Sequence, residues 1–139
     1  MTDLSHEGTV RGFFDALNAR DYARAAGAIA EHCRWQSMAS ETEHRGPAAI
    51  LAGLREFVGA FPDWRVGIER LTVADAVVVV EWETSGTFTS PFRGREPNGR
   101  SFRRRGCAIA DLERGLIVRY RDYYDRAYLL QQLDLMDLL

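Results

Sequence analysis

The chain contains no lysine: all 18 of its basic residues are arginine, set against 20 acidic residues for a net charge of -2 over 139 residues. That balance disfavours a phosphate-backbone partner, because nucleic-acid binding would need a strongly segregated basic face. Arg103-Arg104-Arg105 is the single basic run, so no nucleic-acid partner is expected. Long apolar stretches are also missing. None approaches the roughly 20 residues needed to span a bilayer, and no membrane partner is expected. Met1 to Thr9 carries Asp3, His6 and Glu7 where a signal peptide would need a basic start and an apolar centre, so a cytoplasmic protein is expected. Cysteine is scarce. Cys33 and Cys107 are too few to staple a secreted scaffold and lack the spacing of a zinc or redox pair, which predicts reduced, buried thiols. His6, His32 and His44 are dispersed, and no Gly-rich phosphate loop, Ser/His/Asp order or Cys/His nucleophile pair occurs. No cofactor and no metal are expected. Any chemistry must then come from acid/base groups and orientation in a dry pocket.

What is present is an ordinary globular composition, 46% hydrophobic and 27% charged, of a length that suits one domain over residues 1–139. Val10, Phe13, Phe14 and Leu17 form one helical stripe, and Tyr22, Ala25, Ala26 and Ile29 predict a second helix running to His32. Cys33 to Met38 alternates like a first strand. Gly46-Pro47 opens a third helix whose buried face is Ile50, Leu51, Leu54, Phe57, Val58 and Phe61, and Phe61-Pro62-Asp63 breaks it. Trp64 to Val73, Ala76 to Phe88, Ser101 to Leu112 and Leu116 to Tyr124 read as strands of an antiparallel meander. Ser90 to Arg100, with Pro91, Gly94, Pro97 and Gly99, is the one long loop and a candidate rim for a binding site. Leu129 to Leu139 reads as a short amphipathic tail. Helices first and strands after predict an α+β fold, a strongly curved antiparallel sheet with helices packed on its concave face.

Four stretches carry a family resemblance: Phe61-Pro62-Asp63-Trp64, Gly86-Thr87-Phe88-Thr89, Pro97-Asn98-Gly99-Arg100, and Tyr120-Arg121-Asp122-Tyr123-Tyr124-Asp125 before Leu129-Leu130-Gln131-Gln132-Leu133. From about Val10 to Leu133 the chain resembles the SnoaL-like polyketide cyclases of the nuclear transport factor 2-like superfamily. The resemblance implies a cone-shaped α+β domain enclosing a pocket. It also implies a general acid/base at Asp122, which matches the aspartate of the family's His-Trp-Asp stretch, although Tyr120 and Arg121 replace the His and Trp. Phe88 likewise stands where the cyclases commonly carry His. The stretch Tyr120 to Asp125 is also similar to the Trp-Arg-Asp-Tyr-Phe-Asp of limonene epoxide hydrolases. That chemistry needs a Tyr-x-Asn pair and an Arg-x-Asp unit, and this chain has Trp35-Gln36-Ser37 and Thr89-Ser90-Pro91 at those places, which leaves hydrolysis an outside possibility.

Strand alternation groups Val118, Tyr120, Asp122 and Tyr124 on one face and Ile117, Arg119, Arg121 and Tyr123 on the other. The first face suits a pocket, where a desolvated Asp122 would have its pKa raised from about 3.9 toward the range useful for proton transfer. Asp122 is the candidate proton carrier, and Tyr120 or Tyr124 the candidate hydrogen-bond donor to a developing enolate oxygen. The alternative is an aspartate bound to backbone N–H groups or to an arginine. Trp35, Ser37, Trp64, Trp82, Phe88 and Arg104 are the candidate substrate-binding residues. Core packing is the competing reading for Trp64 and Trp82, and a solvated face the competing one for Arg104. The expected ligand is small, apolar and polyketide-like, taken either by a cyclase or isomerase or by a non-catalytic binding domain. A homodimer through the outer sheet face, at Ile117, Arg119 and Tyr123, is also expected.

Overall fold

The computed structural model describes residues 2–139, with side chains from His6 onward, so Met1 of the expected 1–139 domain lies outside the described residues. Helix α1 (Thr2–Asn18) buries Val10, Phe13, Phe14 and Leu17, the stripe its periodicity predicts. Asn18 closes it by clamping Val66, donating from Nδ2 to Val66 O and accepting from Val66 N, both at 2.8 Å. Helix α2 (Tyr22–Ala26) is capped by Asp21, whose side chain accepts from Arg24 N. It stops well short of His32. Instead β1 (Ile29–Ser37) begins at Ile29, because Ala28 O receives Ile117 N at 2.9 Å and Ile29 pairs with Ile117, a partner 88 positions away that local periodicity cannot reveal. His32, expected at a helix end, is on this strand.

A short strand β2 (Thr42–Arg45) follows, exposed at every position and so without an apolar signal. Helix α3 (Gly46–Gly59) starts with Pro47 in its first turn. Strands β3 (Arg65–Ala74), β4 (Val77–Thr87), β5 (Ser101–Glu113) and β6 (Leu116–Tyr124) form the antiparallel meander. The six strands make one curved sheet in the order β2-β1-β6-β5-β4-β3, with β1 and β6 parallel. Helix α4 (Arg126–Leu133) and a 3-10 turn (Met136–Leu138) complete the chain.

One expectation about faces is corrected. The β5–β6 register jumps between Asp111↔Arg119 and Leu112↔Ile117, leaving Val118 as an extra residue, a β-bulge. Ile117 is thereby turned into the core, fully buried, while Arg119 and the exposed Tyr123 keep the outer face. Val118 does not join Tyr120 and Asp122; it borders a surface groove with His32 and Glu113. The cysteines divide likewise. Cys33 is buried, its thiol pushed up to about 11 by desolvation, whereas Cys107 is only partly buried.

Candidate active site

The strand registers assemble the site. On β6, Tyr120, Asp122 and Tyr124 face the concave side, and the parallel pairing sets Trp35 of β1 beside Tyr120 and Ser37 beside Asp122. Parallel neighbours in register stack side chain on side chain, and the Trp35 and Tyr120 rings lie 3.6 Å apart at 7°. Across the other edge of β6, β5 contributes Ala110, Ala108 and Gly106 opposite Tyr120, Asp122 and Tyr124. These small residues leave space above the centre of the sheet, and the flanking aromatics wall it. Gly106 is essential to this arrangement: a Cβ there would meet Trp82 Cζ2 at 2.4 Å, so the Trp82 indole lies directly over the glycine.

The space has three communicating parts. A deep chamber of about 50 Å³ is lined by Phe13 of α1, Trp35, Trp64, Trp82, Arg104 and Asp122, among others. A second chamber of about 160 Å³ shares Trp35, Leu54, Arg104 and Asp122 with it and extends to Ser37, His44 and Tyr124. It joins a groove of about 330 Å³ at Phe57, Arg93 and Tyr124. The deep chamber has room for a few waters or one end of a ligand, while the rest is on the scale of a small-molecule pocket. From the long loop, Phe92 and Arg93 border the mouth; Gly94 to Arg100 do not, and the β2 residues Thr42 and His44 form the opposite rim. That half of the rim carried no sequence signal.

Asp122 is pushed up to about 6, because burial against the aromatics outweighs the downward pull of Arg104 and Ser37. Asp122 and Arg104 keep partial accessibility, and both line the chambers. Ser37 faces the carboxyl closely enough to stabilise its charge, yet neither Ser37 Oγ nor Asp122 Oδ1 completes a well-formed hydrogen bond. Tyr120 is buried, and desolvation together with the Asp122 charge raises its phenol well above the ordinary value, so it remains a proton donor.

Arg104 points inward, while its neighbours turn out: Arg103 pairs with Glu83 and Arg105 with Glu69. Its Nε donates to Thr84 Oγ1 at 3.1 Å, and its guanidinium lies over the ring of Tyr124 at 4.3 Å, with Phe57 and Trp82 at 5.0 and 5.1 Å. Burial lowers its pKa, although the nearby Tyr124 and Asp122 favour the charged form.

Of the candidates named from sequence, Asp122, Tyr120, Trp35, Trp64, Trp82 and Arg104 converge on the deep chamber, and Ser37 and Tyr124 on the second. Phe88 does not. It is fully buried outside the chambers, 5.8 Å from the Phe61 ring, with its backbone paired to Gly99 and Arg100. Thr84, the anchor of Arg104, was missed; its alternation with Trp82 and Gly86 was visible, but a threonine on a strand carries no distinguishing signal.

A curved, mostly antiparallel sheet closing on a largely enclosed carboxyl and arginine under a helical cover gives a pocket-bearing α+β domain with the nuclear transport factor 2-like, ketosteroid isomerase-like fold. Within it, the chain belongs to the SnoaL-like polyketide cyclase family, whose family model matches residues 8–133. The fold is shared with a SnoaL-like protein from Jannaschia sp. CCS1 at 22% identity and TM-score 0.86, covering 94% of this chain and 92% of that one. It is shared with IdmH of Streptomyces antibioticus, a candidate polyketide cyclase, at 21% identity and TM-score 0.82, covering 93% and 98%. An epoxide hydrolase from M. tuberculosis also has it, at 18% identity and TM-score 0.77, covering 99% and 96%. Among curated protein sequences no match is found. No helix among the described residues is long and apolar enough to cross a membrane.

Proposed function

We propose that the protein is a cofactor-independent cyclase or isomerase in which Asp122 carries a proton for a small, largely apolar, polyketide-like substrate. The observation that supports this is the Asp122 carboxyl itself: raised to about 6, outside any ion pair with a described residue, and set with an unpartnered oxygen in an aromatic chamber. In its ionised form Asp122 removes a proton from carbon next to a carbonyl, and the C–H electron pair moves into the enolate. In ring closure that carbon attacks a second carbonyl, whose oxygen takes the proton back from Asp122. Tyr120, held protonated on the Trp35 face, and Tyr124 donate to the developing oxyanion.

A pH profile tests the reading. With 2-tetralone as a probe, exchange of its α-protons in D₂O, followed by proton NMR, is expected to exceed the buffer rate and to rise through about pH 6 to a plateau. Exchange no faster than buffer at any pH would favour the rival reading, a binding domain of the same fold. The specific feature behind that rival is Tyr120 standing where the resembling cyclases carry histidine. Epoxide hydrolysis lacks support here, because Asp122 is the only carboxylate among the described residues lining the three spaces.

The working unit is proposed to be a homodimer joined through the outer sheet face. Tyr123 is exposed there beside the half-buried Cys107, and Val79 and Ile109 are register neighbours on the same side. Sedimentation equilibrium is expected to give twice the 15.7 kDa chain mass, and a monomer at high concentration would exclude the dimer.

A further inference from the structure

An arginine largely enclosed by aromatic rings is unusual, since withdrawing a guanidinium from water is costly unless something answers its charge. The Asp122 charge helps Arg104 from beyond ion-pair distance but does not outweigh the desolvation. Arg104 forms no ion pair with any described residue. What surrounds it is a cage of Tyr124, Phe57, Trp82 and, at 5.9 Å, Phe102. Thr84 Oγ1 accepts from its Nε and Tyr124 supplies a further hydrogen bond, while the ring faces attract the cation but cannot accept in-plane N–H bonds in the way an oxygen does. Two further donors share the deep chamber: the indole N–H groups of Trp64 and Trp82, both buried and both without a partner. A buried donor left unpaired costs free energy until an acceptor arrives. Asp122, which lines the same chamber, has an unmatched acceptor in its Oδ1.

We propose that Arg104 is the anion receptor of this cavity, seating a planar ligand that presents two oxygens on one edge: a 1,3-dicarbonyl enolate or a carboxylate. The guanidinium fork matches such an edge with two parallel hydrogen bonds. The ligand's ring body occupies the second chamber, and its polar end enters the deep one, which has no space for more. This inference deepens the acid/base reading and rests on it for the reaction, whereas the binding itself stands on Arg104. For a 1,3-dicarbonyl the two parts fit together. The C–H bond between the carbonyls breaks, the proton goes to Asp122, and the negative charge passes from Asp122 to the oxygens on Arg104. The cavity holds one cation and one anion before and after the step, so no new charge is created in the apolar chamber.

The test uses three probes of similar shape at pH 8, titrated calorimetrically into the intact protein: benzoylacetone, trans-cinnamate and the neutral ketone benzylideneacetone. At least one of the two acidic probes is expected to bind about ten-fold or more tighter than the neutral ketone, the scale of a charge-assisted hydrogen bond. An enolate absorption band in bound benzoylacetone assigns the dicarbonyl as the source, and binding of cinnamate alone assigns the carboxylate. Arg104→Met is expected to remove the preference, read as the ratio of the acidic probe's affinity to that of benzylideneacetone in the same variant. Arg104→Lys, which keeps the charge and loses the fork, should retain part of it and serves if the Met variant does not fold. No preference in the native protein, or a full preference in both Arg104 variants, overturns the proposal. Asp122→Asn separates the two readings: it should lose proton exchange while a preference for cinnamate, which brings its own charge, persists, so that unchanged exchange defeats the Asp122 mechanism and leaves the Arg104 receptor standing.

Discussion

Replacing Asp122 by asparagine is expected to lower proton exchange by about 10² to 10⁴-fold and, at the same time, to make the protein more stable at pH 8. The sign of the second effect follows from linkage. A carboxyl whose pKa rises from 3.8 in the unfolded chain to about 6 in the folded one binds its proton more tightly when folded. Its favourable contribution is complete below about pH 4, falls away as the pH rises through about 6, and above that leaves the fold carrying the full penalty of a desolvated charge. A shift of this size corresponds to roughly 2 to 3 kcal/mol, and asparagine has no charge to desolvate. Thermal melts should therefore place the variant several degrees above the native protein at pH 8, with the gap closing toward pH 4. A variant less stable at both pH values would mark Asp122 as a structural group, satisfied in place. Gain of stability with loss of exchange is the pattern of a group retained for its chemistry, since proteins hold such groups at a cost to folding.

The inward set on β6 was legible because strands alternate and Tyr120, Asp122 and Tyr124 are the residues of that stretch that suit a pocket. The meander was legible for the same reason, together with the tight breaks at Asp75 and at Arg114-Gly115, where positive φ angles mark the turns. Alternation fails where a bulge inserts a residue, which is why Ile117 and Val118 exchanged faces. It is also silent about which strands meet. The parallel contact of β1 with β6 joins segments more than 80 positions apart, and nothing local in Trp35 or Ser37 announces Tyr120 or Asp122 as the neighbour. Parity allowed Arg104 an inward position without deciding it against a solvated face; three of its four aromatic neighbours, Tyr124, Trp82 and Phe57, come from other elements, and only Phe102 is on its own strand. Phe88 has the right parity but sits past the end of β4, where Phe61 covers it, so parity without depth misled.

Gly106→Ala should be among the most damaging single-methyl changes in the chain. The new Cβ would lie 2.4 and 2.6 Å from Trp82 Cζ2 and Cη2 and 2.6 Å from Tyr123 O. An indole in an open site rotates away, but here it is buried among the chamber walls, and the carbonyl belongs to the neighbouring strand. Overpacking of this kind typically costs about 1 to 3 kcal/mol, and contact with fixed backbone places this case at the upper end. Urea denaturation should show the loss, and tryptophan fluorescence should report the displaced Trp82. Gly67→Ala is the matched control, since a Cβ there meets nothing within 4 Å, and it is expected to change stability little. Because Trp82 also lies over Arg104, the Gly106 variant should weaken anion binding even in the molecules that remain folded.

The parallel seam between β1 and β6 also sets an order of events for the chain as it folds. Helices and the β3–β4–β5–β6 hairpins close over short separations, so they carry a small loop-closure cost and can form early. The seam closes a loop of more than 80 residues, and it is the step that brings Ser37 to Asp122 and lays Trp35 on Tyr120. A chain lacking the seam is without Trp35 and Ser37 beside Tyr120 and Asp122, so the chamber lacks one of its walls. The proposed proton carrier is therefore completed only by the longest-range closure in the sheet, and a chain that has formed the meander alone has Asp122 in place without its β1 neighbours.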